Sequence, residues 1–422
     1  MSNERSGFSS RLGFILATAG SAVGLGNIWR FPYLAAKYGG GTFLLTYLIL
    51  TLTFGFSLMI TEVALGRKAG TSAIRAFGHF SKKHTFIGYL TTIIPFIIFP
   101  YYCVIGGWVT KYALISLQGG IHNAASDTFF TGFISKSAEP MICVLVFLIA
   151  TTVVVAGGVK GGVERVSTIM MPVLIVLLIG VSLFCITRPG AMAGVAYYLK
   201  PSLKGFGPTT ILAALGQLFY SMSLAMGIMI TFGSYMPKKA DLEKSVTQVE
   251  IFDTGVAFLA GLMIVPAVFV FSNGDSSMLA KGPSLMFVML PKVFNSMAFS
   301  SVIAAVFFIL VLLAALTSSI SLLETLVAVL MDKFHMKRGT ACITMFIIAL
   351  LLAVPSSLGF GAWSNITILG FDFLDFFDFI SNSVLMPIAA FLTCLFVGYI
   401  IKPKVIVDEV ESSGEFKRKS LF

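Results

Sequence analysis

Apolar residues fall in long blocks along this chain, and polar residues gather in the stretches between them. Ten blocks are each of roughly the length a helix needs to cross a bilayer: residues 12–37, 41–66, 86–116, 140–158, 166–187, 208–236, 248–272, 296–331, 339–355 and 374–401. Most connections are short, so no soluble domain is inserted. The longer ones, 117–139, 188–207 and 273–295, lie on one side and could form a vestibule. After Ile401 the pattern turns to mixed acids and bases, a tail over 403–422 with no further span.

Two blocks are interrupted. The first contains Gly20-Ser21-Ala22-Val23-Gly24-Leu25-Gly26-Asn27, three glycines and an amide where a helix should run. Glycine costs about 1 kcal/mol relative to alanine inside a helix. Irregular backbone at membrane depth is tolerated only where protein buries it or where it lines a cavity. The sixth block is broken similarly at Ser221-Met222-Ser223-Leu224-Ala225-Met226-Gly227. Interruptions in corresponding positions of two halves point to inverted repeats with a binding site between them. The predicted fold is an all-α polytopic membrane protein of ten transmembrane helices in a 5+5 inverted repeat. Helices 1 and 6 break at the midplane, the first repeat covers 1–190 and the second 191–402. Free carbonyls and N–H groups at that depth read as a transporter's binding site.

Composition agrees: 57% of residues are hydrophobic and 11% charged, against about 25% charged in a soluble domain, and the mean hydropathy is +0.94. The net charge of +10 could suggest a nucleic-acid partner, but its distribution excludes one. Arg5, Arg11, Arg67, Lys68, Arg75, Lys82, Lys83, Lys160, Arg165, Lys238, Lys239, Lys244, Lys333, Lys337, Arg338 and the bases after Ile401 would share one side. Few lie opposite, for example Lys136, Lys200 and Lys281. By the positive-inside rule both termini are cytoplasmic, with the N-terminus uncleaved and anionic lipid headgroups as the only partner implied by charge. Cys103, Cys143, Cys185, Cys342 and Cys394 all fall in apolar blocks and read as packing residues. His79, His84, His122 and His335 have no ligand spacing.

The chain resembles the neurotransmitter:sodium symporter family of sodium-coupled amino-acid transporters, and within it the bacterial amino-acid branch. The resemblance runs from Arg5 to about Pro387 and rests on Ser10-Arg11-Leu12-Gly13-Phe14, Gly20 through Pro32, Gly39-Gly40-Gly41, Glu62 with Gly66-Arg67, Gln217 through Gly227, and Thr317-Ser318-Ser319. The inverted-repeat rule is itself drawn partly from transporters of this family. The resemblance implies a symporter of hydrophobic α-amino acids working by alternating access in the bacterial inner membrane, as a monomer or weak homodimer.

It also implies two sodium ions. One would be held by Ala22, Asn27, Ser221, Asp253 and a substrate carboxylate oxygen, the other by Gly20, Val23, Ala314, Thr317 and Ser318. A hard cation favours such oxygens; the plainer reading of Thr317 and Ser318 is a bond back to their own helix. Many chloride-dependent animal relatives have asparagine where this chain has Asp253, with Ala257 one turn on. The resemblance therefore implies chloride-independent transport, with Asp253 offsetting the sodium charge; a structural hydrogen-bonded acid is the alternative.

The implied substrate pocket takes Ser21, Ala22, Leu25 and Gly26 from span one, Ile98 and Tyr102 from span three, Tyr220, Ser221, Ser223 and Met226 from span six, and Ser318 and Leu322 from span eight. N–H groups near Leu25 and Gly26 suit a carboxylate, and Tyr102 can add a hydrogen bond. Monoamine-transporting relatives carry an aspartate where this chain has Gly24, so here the substrate brings its own carboxylate. Ile98, Met226 and Leu322 make the far end apolar, though packing alone would also explain Ile98 and Leu322.

An outer gate would pair Arg30 with Asp378, or with Asp375 of the Asp372-Asp375-Asp378 row, above a Tyr102–Tyr220 lid. An inner gate would pair Arg5 with Asp332 near Ser234, Tyr235 and Phe8. Gly162 and Pro172 in span five match a spacing that lets that end unwind. A proton-coupled exchanger or a non-transporting amino-acid sensor are the rival readings. No nucleophile, base and stabiliser converge, so an enzyme is not expected.

Overall fold

The computed structural model describes residues 7–202, 206–272, 285–297 and 299–422. Arg5 and Lys281 lie outside them. Among the described residues the chain is all-helical, with a single isolated bridge between Ile368 and Phe371.

Among the described residues, eight helices are long and apolar enough to cross a membrane: Gly41–Ala69, Lys82–Leu117, Ala138–Ala156, Val159–Ile186, Leu242–Phe271, Ser300–Phe334, Arg338–Leu358 and Phe373–Ile401. A further pair, Arg11–Ala22 and Gly26–Lys37, passes the same test together but bends by 50° at its break. The stretch expected as the sixth span appears as two short helices, Pro208–Ser221 and Ile228–Tyr235, with an irregular segment between them.

Burial sorts these helices. Arg11–Ala22 is buried from Gly13 through Ala22, and a helix buried all round is a core element rather than a surface one. Ser10 starts it by accepting a hydrogen bond from the Gly13 N–H at 2.9 Å, the side-chain cap expected of serine. Ile228–Tyr235 is nearly all buried as well. Ala138–Ala156, Val159–Ile186 and Phe373–Ile401 leave apolar residues such as Val153, Val176 and Phe391 on the outside. Such faces suit a lipid-facing shell. The two interrupted stretches therefore sit at the centre, walled by Lys82–Leu117 and Ser300–Phe334.

The tail is not loose. Lys404–Glu411 is helical, and residues 409–421 pack back on the body. Arg67, fully buried, donates to Glu409 Oε1 at 2.8 Å, the Ala240 carbonyl at 3.0 Å and Ser413 at 2.9 Å. Arg418 pairs with Glu250 at 2.6 Å and lies 3.6 Å from the Phe56 ring centroid. Glu243 accepts from the Lys417 and Arg418 N–H groups at 2.6 and 2.8 Å. A mixed charge pattern suggested only a tail; buried partners on two other helices, Gly41–Ala69 and Leu242–Phe271, give it a fixed place.

Candidate functional site

The first break starts where Val23 turns extended, at φ −76° and ψ 95°. Gly24 N–H then donates to the Asn27 side chain at 3.3 Å instead of to Gly20, and Asn27 N–H turns to Gly24 O at 3.2 Å instead of to Val23. The carbonyls of Gly20 and Val23 thereby lose their i+4 donors. In the second break Ser223, Ala225 and Gly227 take left-handed backbone, with φ of 53°, 61° and 73°. For the two non-glycine residues that costs about 1–2 kcal/mol each. Buried hydrogen bonds offset it. Ala225 N–H donates to Glu62 Oε1 at 2.8 Å, and the Ser223 hydroxyl donates to Ser21 O at 3.1 Å.

A small cavity of about 30 Å³ lies between the breaks. Ser21, Ala22, Leu25, Gly26, Ile98, Tyr102, Tyr220, Ser223, Met226, Ser318 and Leu322 all line it, joined by Gly24 and Ile228. Ser221 is the expected pocket residue absent from this wall; its hydroxyl turns to Asp253 at 2.8 Å. The Tyr102 hydroxyl is buried facing Ser318 and the Leu25 backbone, with no hydrogen bond of normal geometry among the described residues. A buried unpaired hydroxyl costs about 1–3 kcal/mol, so it is aimed at something that enters the cavity. A Cβ on Gly24 would meet the Ser318 hydroxyl and, at 3.2 Å, the Tyr102 oxygen, while one on Gly26 would meet Tyr220 Cδ1 at 2.7 Å. Both glycines hold space.

Two oxygen clusters flank the cavity. In one, Thr317 Oγ1 lies 3.0 Å from Ala314 O and 3.5 Å from Val23 O, and Ser318 Oγ lies 3.5 Å from both Gly20 O and Val23 O. A hard cation about 2.4 Å from its ligands sets neighbouring oxygens roughly 3–3.5 Å apart. The five groups fit such an ion. Thr317 also reaches Leu313 O at 3.2 Å and Ser318 reaches Ser21 O at 3.1 Å, so the bond back to the helix occurs too.

The other cluster centres on Asp253, fully buried. It accepts from Asn27 Nδ2 at 2.7 Å, from Ser221 at 2.8 Å and from the Tyr47 hydroxyl at 3.0 Å. No cationic side chain pairs with it among the described residues, and an uncompensated buried charge is expensive. A cation beside it would supply the missing charge. Tyr47 escaped the sequence reading. Its signal was a polar tip inside an apolar block, which must find a partner.

Beyond the first cavity lies a second of about 300 Å³, reached past Tyr220 and lined also by Arg30, Asp375 and Asp378. Arg30 sits 5.1 Å from the Tyr220 ring centroid, and among the described residues its Nη1 makes no hydrogen bond and it pairs with no carboxylate. Asp378 accepts from Tyr101 at 3.2 Å and from Asn382. The proposed partners thus face one another across open space. Asp372 caps the helix that carries them, accepting from the Asp375 N–H at 2.9 Å.

On the N-terminal side the path is shut. Phe8 packs edge-on against Phe14, Phe232 and Tyr235, and its N–H donates to Tyr235 O at 3.0 Å. The Arg5 half of the inner pair lies outside the described residues; Asp332 accepts from the Ser72 N–H at 2.7 Å. Two further acids close this side. Glu164 accepts from the Ser9 N–H and hydroxyl at 2.7 and 2.6 Å. Glu324 accepts from Tyr235 at 2.8 Å and pairs with Arg338. Both were legible as acids within or bordering apolar blocks, where charge needs a reason. Gly162 lies in a π-helical turn, Val159–Glu164, ahead of Pro172.

A family model described as the sodium:neurotransmitter symporter family matches residues 5–132 and 128–422. A sodium-dependent transporter of Bacillus subtilis, YhdH, is 35% identical over 96% of this chain and 90% of its own length. One from Haemophilus influenzae is 35% identical over 94% and 90%. The solved structure of MhsT in complex with L-phenylalanine superposes with a TM-score of 0.89 at 39% identity, over 96% of this chain and 93% of that one.

Proposed function

The chain belongs to the sodium:neurotransmitter symporter family, and from that premise we propose that it carries hydrophobic α-amino acids into the cell by chloride-independent symport with two sodium ions. The observation that carries this is the placement of two oxygen clusters on either side of one small, partly apolar cavity. The ten-helix inverted repeat, with the sixth span supplied by the broken pair Pro208–Ser221 and Ile228–Tyr235, belongs to the same reading. So does the orientation with both termini cytoplasmic.

In this reading Asp253, Asn27, Ser221, Ala22 and a substrate carboxylate oxygen hold one ion. Gly20, Val23, Ala314, Thr317 and Ser318 hold the other. The amino acid's carboxylate meets Tyr102 and the freed N–H groups near Leu25 and Gly26, while carbonyls of the second break take its ammonium. Ile98, Met226, Ile228 and Leu322 receive an apolar side chain. That MhsT was solved with L-phenylalanine supports a site of this chemistry. With Phe8 plugging the N-terminal side and Arg30 apart from Asp378, the molecule stands open outward. Closing Arg30 onto Asp378 over Tyr220 would occlude it.

The energetics suffice. Each sodium entering down about 100 mV gains roughly 2.3 kcal/mol, and a tenfold gradient adds about 1.4 kcal/mol. Two ions could hold a solute gradient on the order of 10⁵-fold. Binding of labelled phenylalanine, leucine and glutamate to purified protein in sodium or potassium tests the assignment. Sodium-dependent binding of the apolar pair is expected. Equal binding in potassium, or preference for glutamate, would overturn it.

A further inference from the structure

A third cavity, of about 500 Å³, opens on the N-terminal side, away from the central site. Its walls come from helix Ala73–Phe80, the start of helix Thr85–Leu117 and the end of helix Ser300–Phe334. Arg75, His79, Lys333 and His335 line it against one acid, Asp332. That acid is engaged: its carboxylate accepts from the Ser72 N–H at 2.7 Å, and its backbone carbonyl accepts from Arg75 at 3.1 Å. Lys333 is held by the Tyr89 hydroxyl, 5.0 Å from the ring centroid. The Thr71 hydroxyl, also on this wall, is buried and donates to nothing. The cleft therefore offers excess positive charge and a spare donor, which suits an oxyanion.

A second, independent feature adjoins it. Phe86, Tyr89 and Ile93 follow one another at i, i+3 and i+7, on one face of the helix that forms the cleft. They are 52%, 46% and 47% exposed, and Phe334 on the facing helix is 63% exposed. A basic mouth thus runs directly into an apolar face of a membrane-crossing helix. A small soluble anion would use only the first half of this arrangement. An amphiphile with an anionic head would use both, and basic pockets between transmembrane helices commonly take lipid headgroups.

We propose that this cleft binds the phosphate-bearing headgroup of an anionic phospholipid, with an acyl chain lying along Phe86, Tyr89 and Ile93. Arg75 and Lys333 contact the phosphate, and Thr71 adds a neutral donor. The lipid bridges helix Ala73–Phe80 to the end of Ser300–Phe334, two elements otherwise joined here through Ser72, Arg75 and Asp332.

The test titrates dioctanoyl phosphatidylglycerol, dioctanoyl phosphatidylcholine and inorganic phosphate into the full-length protein in a neutral detergent, reading bound lipid by native mass spectrometry. Saturable binding of one phosphatidylglycerol, well above phosphatidylcholine, is expected. Each basic contact near a bilayer surface is worth about fivefold, so R75Q/K333Q should weaken it about 25-fold. Sodium-dependent amino-acid binding should be unchanged, since neither residue lines the central cavity. The single substitution K333E, on an exposed side chain, provides a second variant should the double one fold poorly, and it should weaken binding at least as much as K333Q. Equal binding of the two lipids, or no loss in either variant, overturns the proposal. Full displacement of phosphatidylglycerol by millimolar inorganic phosphate would reassign the cleft to a soluble anion and also overturn it.

Discussion

Thr317→Val separates a sodium ligand from an ordinary helix hydroxyl. The side chain is 1% exposed, and valine keeps its shape while deleting Oγ1. If the hydroxyl serves only its own helix through Leu313 and Ala314, at 3.2 and 3.0 Å, the loss is one neutral hydrogen bond, about 0.5–1.5 kcal/mol. That loss would be equal with and without sodium. If Thr317 is also a ligand, a further loss appears only when sodium binds. A neutral group facing a charge is worth about 1.5–3 kcal/mol, which raises the sodium concentration for half-saturation by about 10–100-fold. Ligand linkage turns this into stability. At 100 times its dissociation constant an ion stabilises by about 2.7 kcal/mol, and after a 100-fold loss of affinity the same concentration gives only about 0.4 kcal/mol. Thermal unfolding of the purified protein across a sodium series, with choline holding ionic strength, reads both quantities. The expected result is a midpoint in choline lowered by no more than that one hydrogen bond, and a sodium response displaced to higher concentration. A parallel drop at every sodium concentration would refute the reasoning.

The other predictions concern the cavity and its flanks. Tyr102→Phe removes a hydroxyl that makes no hydrogen bond of normal geometry among the described residues, so stability without substrate should hold within about 0.5 kcal/mol, while amino-acid affinity falls about 10–100-fold by equilibrium binding. Gly26→Ala forces the Tyr220 ring aside, since its Cβ would stand 2.7 Å from Cδ1; substrate binding should drop at least tenfold while the protein still elutes as a folded species. Asp253→Asn keeps the shape but not the charge, so half-saturating sodium should rise more than tenfold; unchanged sodium dependence would assign Asp253 a purely structural role. Replacing chloride by gluconate should leave wild-type transport unaltered, and a chloride requirement would remove the charge-offsetting role given to Asp253.

Much of the site was legible because broken membrane helices leave a strong trace. Glycines and an amide inside an apolar block have few explanations, and residues Gly20 to Asn27 form the bend they announced. Pocket residues such as Ile98 and Leu322 were reached only through the family resemblance, since an apolar residue in an apolar span carries no mark of its own. Ser221 was placed on the pocket wall as well as beside an ion; one side chain cannot face both ways, and Asp253 at 2.8 Å decides its direction. Tyr47, Glu164 and Glu324 were missed for a different reason. Tyr47 meets Asp253, Glu164 meets Ser9 and Glu324 meets Tyr235 across 206, 155 and 89 residues of chain, and no local pattern reports such pairings. The docked tail was hidden likewise, because Arg67 reads as a span-end cation until Glu409 is brought against it at 2.8 Å.

Uptake into sealed proteoliposomes tests the central claim most directly. The protein, reconstituted in potassium, is given labelled phenylalanine or leucine with sodium outside, and compared with potassium on both sides and with an inward proton gradient alone. The account predicts concentrative uptake in sodium only, made steeper by an inside-negative potential because two positive charges enter with each zwitterion. Accumulation driven equally by protons without sodium, or sodium-dependent binding with no accumulation at all, would contradict it.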